Sequence, residues 1–116
     1  DGWQVFKING PLFFAAADRI FGELAVLARN ARGFILYMDG VTILDAGGLS
    51  ALNKLIATCE RDGTQIVIAD LQFQPLRTLA RAGVAPIAGV SRYTSSLDEA
   101  LRLISCPASE TDRASG

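Results

Sequence analysis

Histidine is absent from the 116 residues. That omission removes a large part of enzyme chemistry, because no imidazole is available as a general base near neutral pH or as a zinc ligand. Cysteine is scarce, with two residues. Cys59 falls on the apolar face of a predicted helix and Cys106 lies in the C-terminal stretch, so they have no metal-ligand spacing. A structural disulfide is not expected, and a reducing compartment is the simpler setting. Excess charge is also lacking: the formal net charge is −1, so no overall field draws the chain to nucleic acid or to an anionic membrane. No apolar run is long enough to cross a bilayer. The glycine spacing of a dinucleotide fingerprint and the lysine of a P-loop are both missing, and no internal repeat is visible.

What is present is a globular composition, 50% hydrophobic and 20% charged, in a length that fits one domain with one core. The chain opens at Asp1 without methionine, and strand-like sequence begins at once. A fragment of a longer protein is therefore expected, with one domain over residues 1–105 and a flexible tail over 106–116, which is small, polar and unpatterned.

Hydrophobic periodicity alternates between strand and helix. Trp3–Ile8 reads as a first strand, and Asn9-Gly10-Pro11 as a turn. Leu12-Phe13-Phe14 is expected to return as a short second strand, antiparallel to the first. Ala15–Arg29 reads as a helix burying Ile20, Phe21, Leu24, Leu27 and Ala28. Phe34–Met38 is apolar throughout, as a central strand should be. Ala46–Arg61 reads as a helix burying Leu49, Leu52, Leu55, Ile56 and Cys59, and stopped by Asp62-Gly63. Gln65–Ala69 is a β-branched strand. Pro75 opens a third helix that buries Leu76, Leu79 and Ala80. An edge strand is expected near Ile87 or within Val90–Thr94, and Ser96–Glu99 is a capping box for a last helix, Leu97–Ile104. The order predicts an α/β fold: a mixed, mainly parallel central sheet with about four helices and right-handed crossovers. Function in such sheets gathers at the carboxyl ends of the strands.

Those ends carry Asp39, the Thr42–Gly48 loop and Asp70. Within the loop, Asp45-Ala46-Gly47-Gly48 forms a bend at a helix start. The Asp45 carboxylate suits the N-cap, and the glycines allow a tight turn that leaves backbone N–H groups uncovered and attractive to anions. The bend reads either as a regulatory or anion-binding surface, with Leu49, Thr42 and Ser50 beside it, or as an ordinary cap. Asp39, Asp45 and Asp70 are the acids from which a Mg²⁺ site for phosphotransfer would be built. The same acids at strand ends also serve as caps, and no lysine stands at a matching strand end. Arg77 and Arg81, four apart, are either a grip for an acidic partner or a solvated helix face. Ser50 has no base beside it in sequence.

Two stretches resemble the STAS domains found in bacterial anti-sigma-factor antagonists and at the cytoplasmic C-terminus of SulP-type anion transporters. Ile43-Leu44-Asp45-Ala46-Gly47-Gly48-Leu49 is similar to that family's strand–Asp-Ser-Ser/Thr-Gly-Leu–helix loop. Gly10-Pro11-Leu12-Phe13-Phe14-Ala15-Ala16-Ala17 is similar to the early segment of the transporter branch, and Phe73-Gln74-Pro75-Leu76-Arg77 with Ala82-Gly83 adds to that likeness. The antagonists are phosphorylated on a hydroxyl whose motif position is Gly47 here, so that switch is lost. The resemblance implies a STAS fold and a non-enzymatic regulatory domain, without catalytic residues, cofactor or metal. It would belong to a secondary transporter of sulfate, bicarbonate or a dicarboxylate, on the cytoplasmic face of a bacterial inner membrane. Implied partners are the transmembrane part of the same transporter and a cytosolic protein, with an anion or nucleotide at the loop and a dimer through the full transporter as further expectations. The alternatives are a free-standing anti-sigma-factor antagonist or stress scaffold, and the Mg²⁺-dependent phosphotransfer domain.

Overall fold

A computed structural model describes residues 2–105. Its elements run β1 (Trp3–Asn9), α1 (Phe14–Leu27), β2 (Gly33–Gly40), α2 (Ala46–Asp62), β3 (Gln65–Ala69), α3 (Phe73–Arg81), β4 (Ser91–Thr94) and α4 (Leu97–Ser105). Cys106 and the expected tail over 106–116 lie outside the described residues.

The strands lie in the order β1-β2-β3-β4, and every neighbouring pair is parallel. Each of β1, β2 and β3 is thus followed by a crossover, as its alternation with helix requires. One sheet face, with Phe6, Ile8, Phe34, Leu36, Met38, Ile66 and Ile68, packs against α1, α2 and Leu79 of α3. Among the described residues the other face is covered only in part: Ile35, Val67 and Ala69 meet Ala100 of α4, with Trp3 and Tyr37 packed alongside. β2 and β3, covered on both faces, are almost wholly buried, which explains their uninterrupted apolar sequences.

The predicted antiparallel return strand does not form. Leu12 makes one parallel bridge to Leu44, its N–H donates to the Ile43 carbonyl at 2.8 Å, and Phe14 already belongs to α1. Gly10, at φ 90°, turns the chain across the carboxyl edge of the sheet. Three apolar residues fit a strand or a helix start equally well, and the docking of Leu12, fully buried, selects the latter. The sheet is therefore parallel rather than mixed.

The α1 stripe is also shifted. Ala17, Phe21, Leu24 and Ala28 face inward, while Leu27 is 60% exposed. The buried alanines let α1 approach the sheet, and Leu27 lies one residue round the helix. In α3, Pro75 and Leu79 are buried four residues apart, leaving Leu76 and Ala80 exposed. Leu49 in α2 is half-buried, and Leu52, Leu55, Ile56 and Cys59 form the buried stripe. Gly63 ends α2 in the left-handed region at φ 73°, with its N–H region closed by the Cys59 carbonyl, as a glycine C-cap should. At α4 the capping box forms with one change: Ser96 Oγ accepts from the Glu99 N–H at 3.1 Å, but the Glu99 carboxylate reaches back to the N–H and hydroxyl of Ser95. Those two donors hold the Glu99 carboxyl below its ordinary range.

Candidate functional site

The bend lies at the carboxyl edge, between β2 and α2. Asp45 is the N-cap of α2, and its Oδ1 accepts from the Gly48 N–H at 2.7 Å. Its carbonyl accepts from the Leu49 N–H at 2.8 Å. The sequence reading of Asp45 as a cap therefore describes its observed geometry.

The glycines act differently from expectation. Neither Gly47 nor Gly48 has positive φ. Each is needed for close approach. A Cβ on Gly48 would run into the Leu12 carbonyl oxygen and crowd the Leu44 side chain, and a Cβ on Gly47 would run into Phe14. Gly48 is buried and Gly47 half-buried. The first turns of α1 and α2 thus press together across the bend, and of the N–H groups expected to stand uncovered, that of Gly48 is taken up by the Asp45 carboxylate. Gly47 is the position of the phosphoacceptor hydroxyl in the resembling antagonists, and here Phe14 fills the space that hydroxyl would need.

Leu44 is the anchor. Its side chain is fully buried. Its N–H donates to Gln74 Oε1 at 2.8 Å, and its carbonyl accepts from Gln74 Nε2 and Thr78 Oγ1, both at 3.3 Å. The α3 side chains stand in for a neighbouring strand. Gln74 enters the sequence reading only within the Phe73–Arg77 likeness, without this role, and Thr78 does not enter it, since nothing local marks a glutamine that serves a backbone thirty positions away. Leu12 and Phe14 do carry a signal, an apolar run directly after Gly10-Pro11, but that run fits a strand as well as the helix start it forms.

Outside this closed interior the bend offers Thr42, Ile43, Ala46 and Ser50 to solvent, with Ile43 41% exposed. Phe13 and Phe14, which start α1 beside it, are 49% and 57% exposed, and Phe73 at the start of α3 is 76% exposed. Arg77 and Arg81 are both exposed, and the Arg77 guanidinium lies 5.8 Å from the Phe73 ring centre, a stacking distance for a cation and an aromatic face.

The acids do not converge. Asp39 pairs with Lys7 at 3.4 Å, Asp45 is committed to its cap, and Asp70 sits after β3 with φ 59° and its N–H on the Thr94 carbonyl. Among the described residues no three His, Cys, Asp or Glu side chains form a group able to hold a metal. The Mg²⁺ site proposed from these three acids is therefore not built. No described helix is long and apolar enough to cross a membrane.

A parallel α/β domain with a bend of this kind at its carboxyl edge defines a class, and comparison with known proteins places it. The STAS domain family model matches residues 1–100; the chain belongs to the STAS domain family. It is similar to a protein described as a probable sulfate transporter 4.2 from Arabidopsis thaliana, at 27% identity over 116 residues covering 89% of this chain. That match spans only 17% of the plant protein's length. Among solved structures, a sulfate transporter family protein from Wolinella succinogenes matches with a TM-score of 0.73 and 34% identity, covering 86% of this chain and 82% of that one. The murine Solute Carrier 26 family member A9 anion transporter matches with a TM-score of 0.76 over 91% of this chain and 18% of that one. At 23% identity this last likeness speaks for the fold alone. The chain is thus a STAS domain whose relatives are found in the sulfate-transporter family.

Proposed function

We propose that this STAS domain is the regulatory and protein-contact part of a secondary anion transporter of the SulP type, placed on the cytoplasmic side of the membrane, in a bacterium the inner membrane. Its partner is the transmembrane part of the same polypeptide, and a cytosolic protein is a second. The observation that carries this reading is the make-up of the carboxyl edge. A closed, cap-and-glycine interior holds an outer rim of Ile43, Phe13, Phe14 and Phe73, apolar side chains between 41% and 76% exposed. Such a rim suits contact with another protein surface. The polar flanks Thr42 and Ser50, with Ala46 between them, complete the contact side of the bend. Asp45, Gly47, Gly48 and Leu49 shape it from within, and Arg77 and Arg81 supply positive charge on α3.

The domain performs no reaction of its own in this reading. No histidine exists, and the acids at the strand ends are committed to an ion pair, a cap and a turn. The Asp45 carboxylate already holds the negative charge that the start of α2 favours, so protein contact rather than anion or nucleotide binding is assigned to the bend. Sulfate is the first anion to test, from the names of the similar proteins; bicarbonate and dicarboxylates follow.

The test uses the full transporter in vesicles. Replacing Ile43→Asp together with Phe13→Ser should lower anion uptake several-fold while leaving the unfolding midpoint of the domain unchanged. Uptake equal to that of the parent would remove the rim as the contact surface.

A further inference from the structure

Charge is spread unevenly along the chain. Between Asp70 and Asp98 it carries Arg77, Arg81 and Arg92 and no acid, in a molecule whose formal net charge is −1. The positive field that the whole chain lacks is therefore present locally. Arg77 and Arg81 stand on α3, which begins at the carboxyl edge directly after β3, where Gln74 is bonded to the bend. α3 buries Pro75 and Leu79. At about 100° per residue, its opposite side gathers Phe73, Leu76, Arg77, Ala80 and Arg81, and all five are exposed. Phe73 and Leu76 stand out most, at 76% and 51% exposed.

The positive charge there is not neutralised from nearby. Among the described residues neither Arg77 nor Arg81 pairs with a carboxylate. The first turn of α3 holds no acid, and its N-cap, Gln72, gives no side-chain hydrogen bond. α2 and α4 start at the same edge, and there Asp45, and Asp98 with Glu99, supply negative charge. The partial positive charge at the start of α3 thus adds to that of its arginines.

We infer that the outer side of α3 docks on the anionic headgroup layer of a membrane, with Phe73 and Leu76 at the acyl boundary and Arg77 and Arg81 among the phosphates. An apolar tip followed by long cationic side chains is the composition of an interfacial segment. The spacing fits as well. With α3 end-on to the surface, the helix rise puts Arg77 about 6 Å and Arg81 about 12 Å behind Phe73. A headgroup layer is about 5–8 Å thick. Arg77 therefore falls inside it, and the long side chain of Arg81 reaches its outer phosphates. The Arg77 guanidinium already lies 5.8 Å from the Phe73 ring centre, so the first cation is held beside the apolar tip. The choice of lipid over a second protein rests on the reading that the rim meets the transmembrane part of a transporter. α3 starts beside that rim, and what surrounds a transmembrane part is lipid. Two cations and two apolar side chains hold a free domain weakly, and attachment to a membrane-spanning part raises its effective concentration at the surface.

The test uses the 116-residue chain and vesicles of phosphatidylcholine, with or without about 40 mol% phosphatidylglycerol. In about 0.05 M salt, co-sedimentation with the anionic vesicles should exceed that with the neutral ones at least about fivefold, and about 0.5 M salt should erase the difference. Arg77→Gln with Arg81→Gln should lower the partition coefficient about thirtyfold, because each cation near such a surface contributes about fivefold. Arg29→Gln with Arg102→Gln makes the same change of charge at the amino edge, where both side chains are exposed, and should leave the partition within about twofold. All four changes are on the surface, so circular dichroism should show the fold intact. In a Cys106→Ser background, a polarity-sensitive dye on Phe73→Cys should shift to the blue with anionic vesicles, and the same dye on Arg29→Cys should not. A chain that ignores anionic vesicles overturns the inference and leaves α3 to a protein. Equal losses from the two arginine pairs, or a blue shift at position 29 and not at 73, overturn it as well. Vesicle binding is read with Ile43 and Phe13 unchanged, and the uptake test of the rim leaves α3 unchanged, so failure of one is distinguishable from failure of the other.

Discussion

The bend between β2 and α2 has an inner and an outer side, and they obey different rules. On the inner side, Leu44, Gly47 and Gly48 are pressed against Leu12, Phe14 and the α3 side chains, with no room for another atom. On the outer side, Thr42, Ile43, Ala46 and Ser50 stand in solvent. Asp45 joins the two: its carboxylate points back into the helix start, and its backbone carries the chain outward. The difference teaches that the glycines serve packing, whereas the contact function proposed for the bend rests on side chains that packing leaves free.

The largest effect that would test this division is Gly48→Val. The Cβ would meet a backbone carbonyl oxygen, which cannot swing aside, so a loss of more than about 3 kcal/mol in chemical denaturation is expected. Gly47→Ser restores the hydroxyl of the antagonist motif. It should cost about 1–3 kcal/mol because it strikes Phe14. In a double-mutant cycle with Phe14→Gly the two losses should fall short of their sum; strict additivity would mean that Phe14 does not close the bend. Gln74→Ala leaves the Leu44 N–H without its partner and should cost about 1–2 kcal/mol. Ile43→Asp, on the outer side, should change stability by no more than about 0.5 kcal/mol. A large loss there would dissolve the distinction between the two sides.

A further check lies along the buried stripe of α2. Burial first, and the Asp62 charge second, push the Cys59 thiol from about 9 up to about 11. The folded chain therefore keeps a proton that the unfolded chain would release. The resulting stability is fully present below pH 9 and is lost as pH rises toward 11. A thiol reagent at pH 8 should label Cys59 only as fast as the domain opens, and rapid labelling of native protein would contradict this burial.

Much of the fold was legible because it rests on local chemistry. β3 was predicted with its observed bounds, and Asp45, Gly63 and the Ser96–Glu99 box each marked a helix end by a mechanism acting within a few residues. The misread parts depend on distant partners. Leu12-Phe13-Phe14 carries a pattern common to strands and helix starts, and only its pairing with Leu44 chooses between them. Leu27 and Leu76 looked buried because periodicity gives an apolar stripe but not which part of it meets the sheet. At the bend, the cap was visible, while the roles of Gln74, Thr78 and Phe14 arise from contacts across the molecule.

The sequence by itself determined the alternation of strand and helix and the places where helices begin and end, because each follows from residue chemistry acting over a turn or less. Only the tertiary structure decided that the sheet is wholly parallel among the described residues, that Gly47 and Gly48 lie beneath the start of α1, and that the stripe of α1 facing the sheet leaves Leu27 exposed. Those outcomes depend on which surfaces meet when the layers pack, and no single segment encodes that meeting.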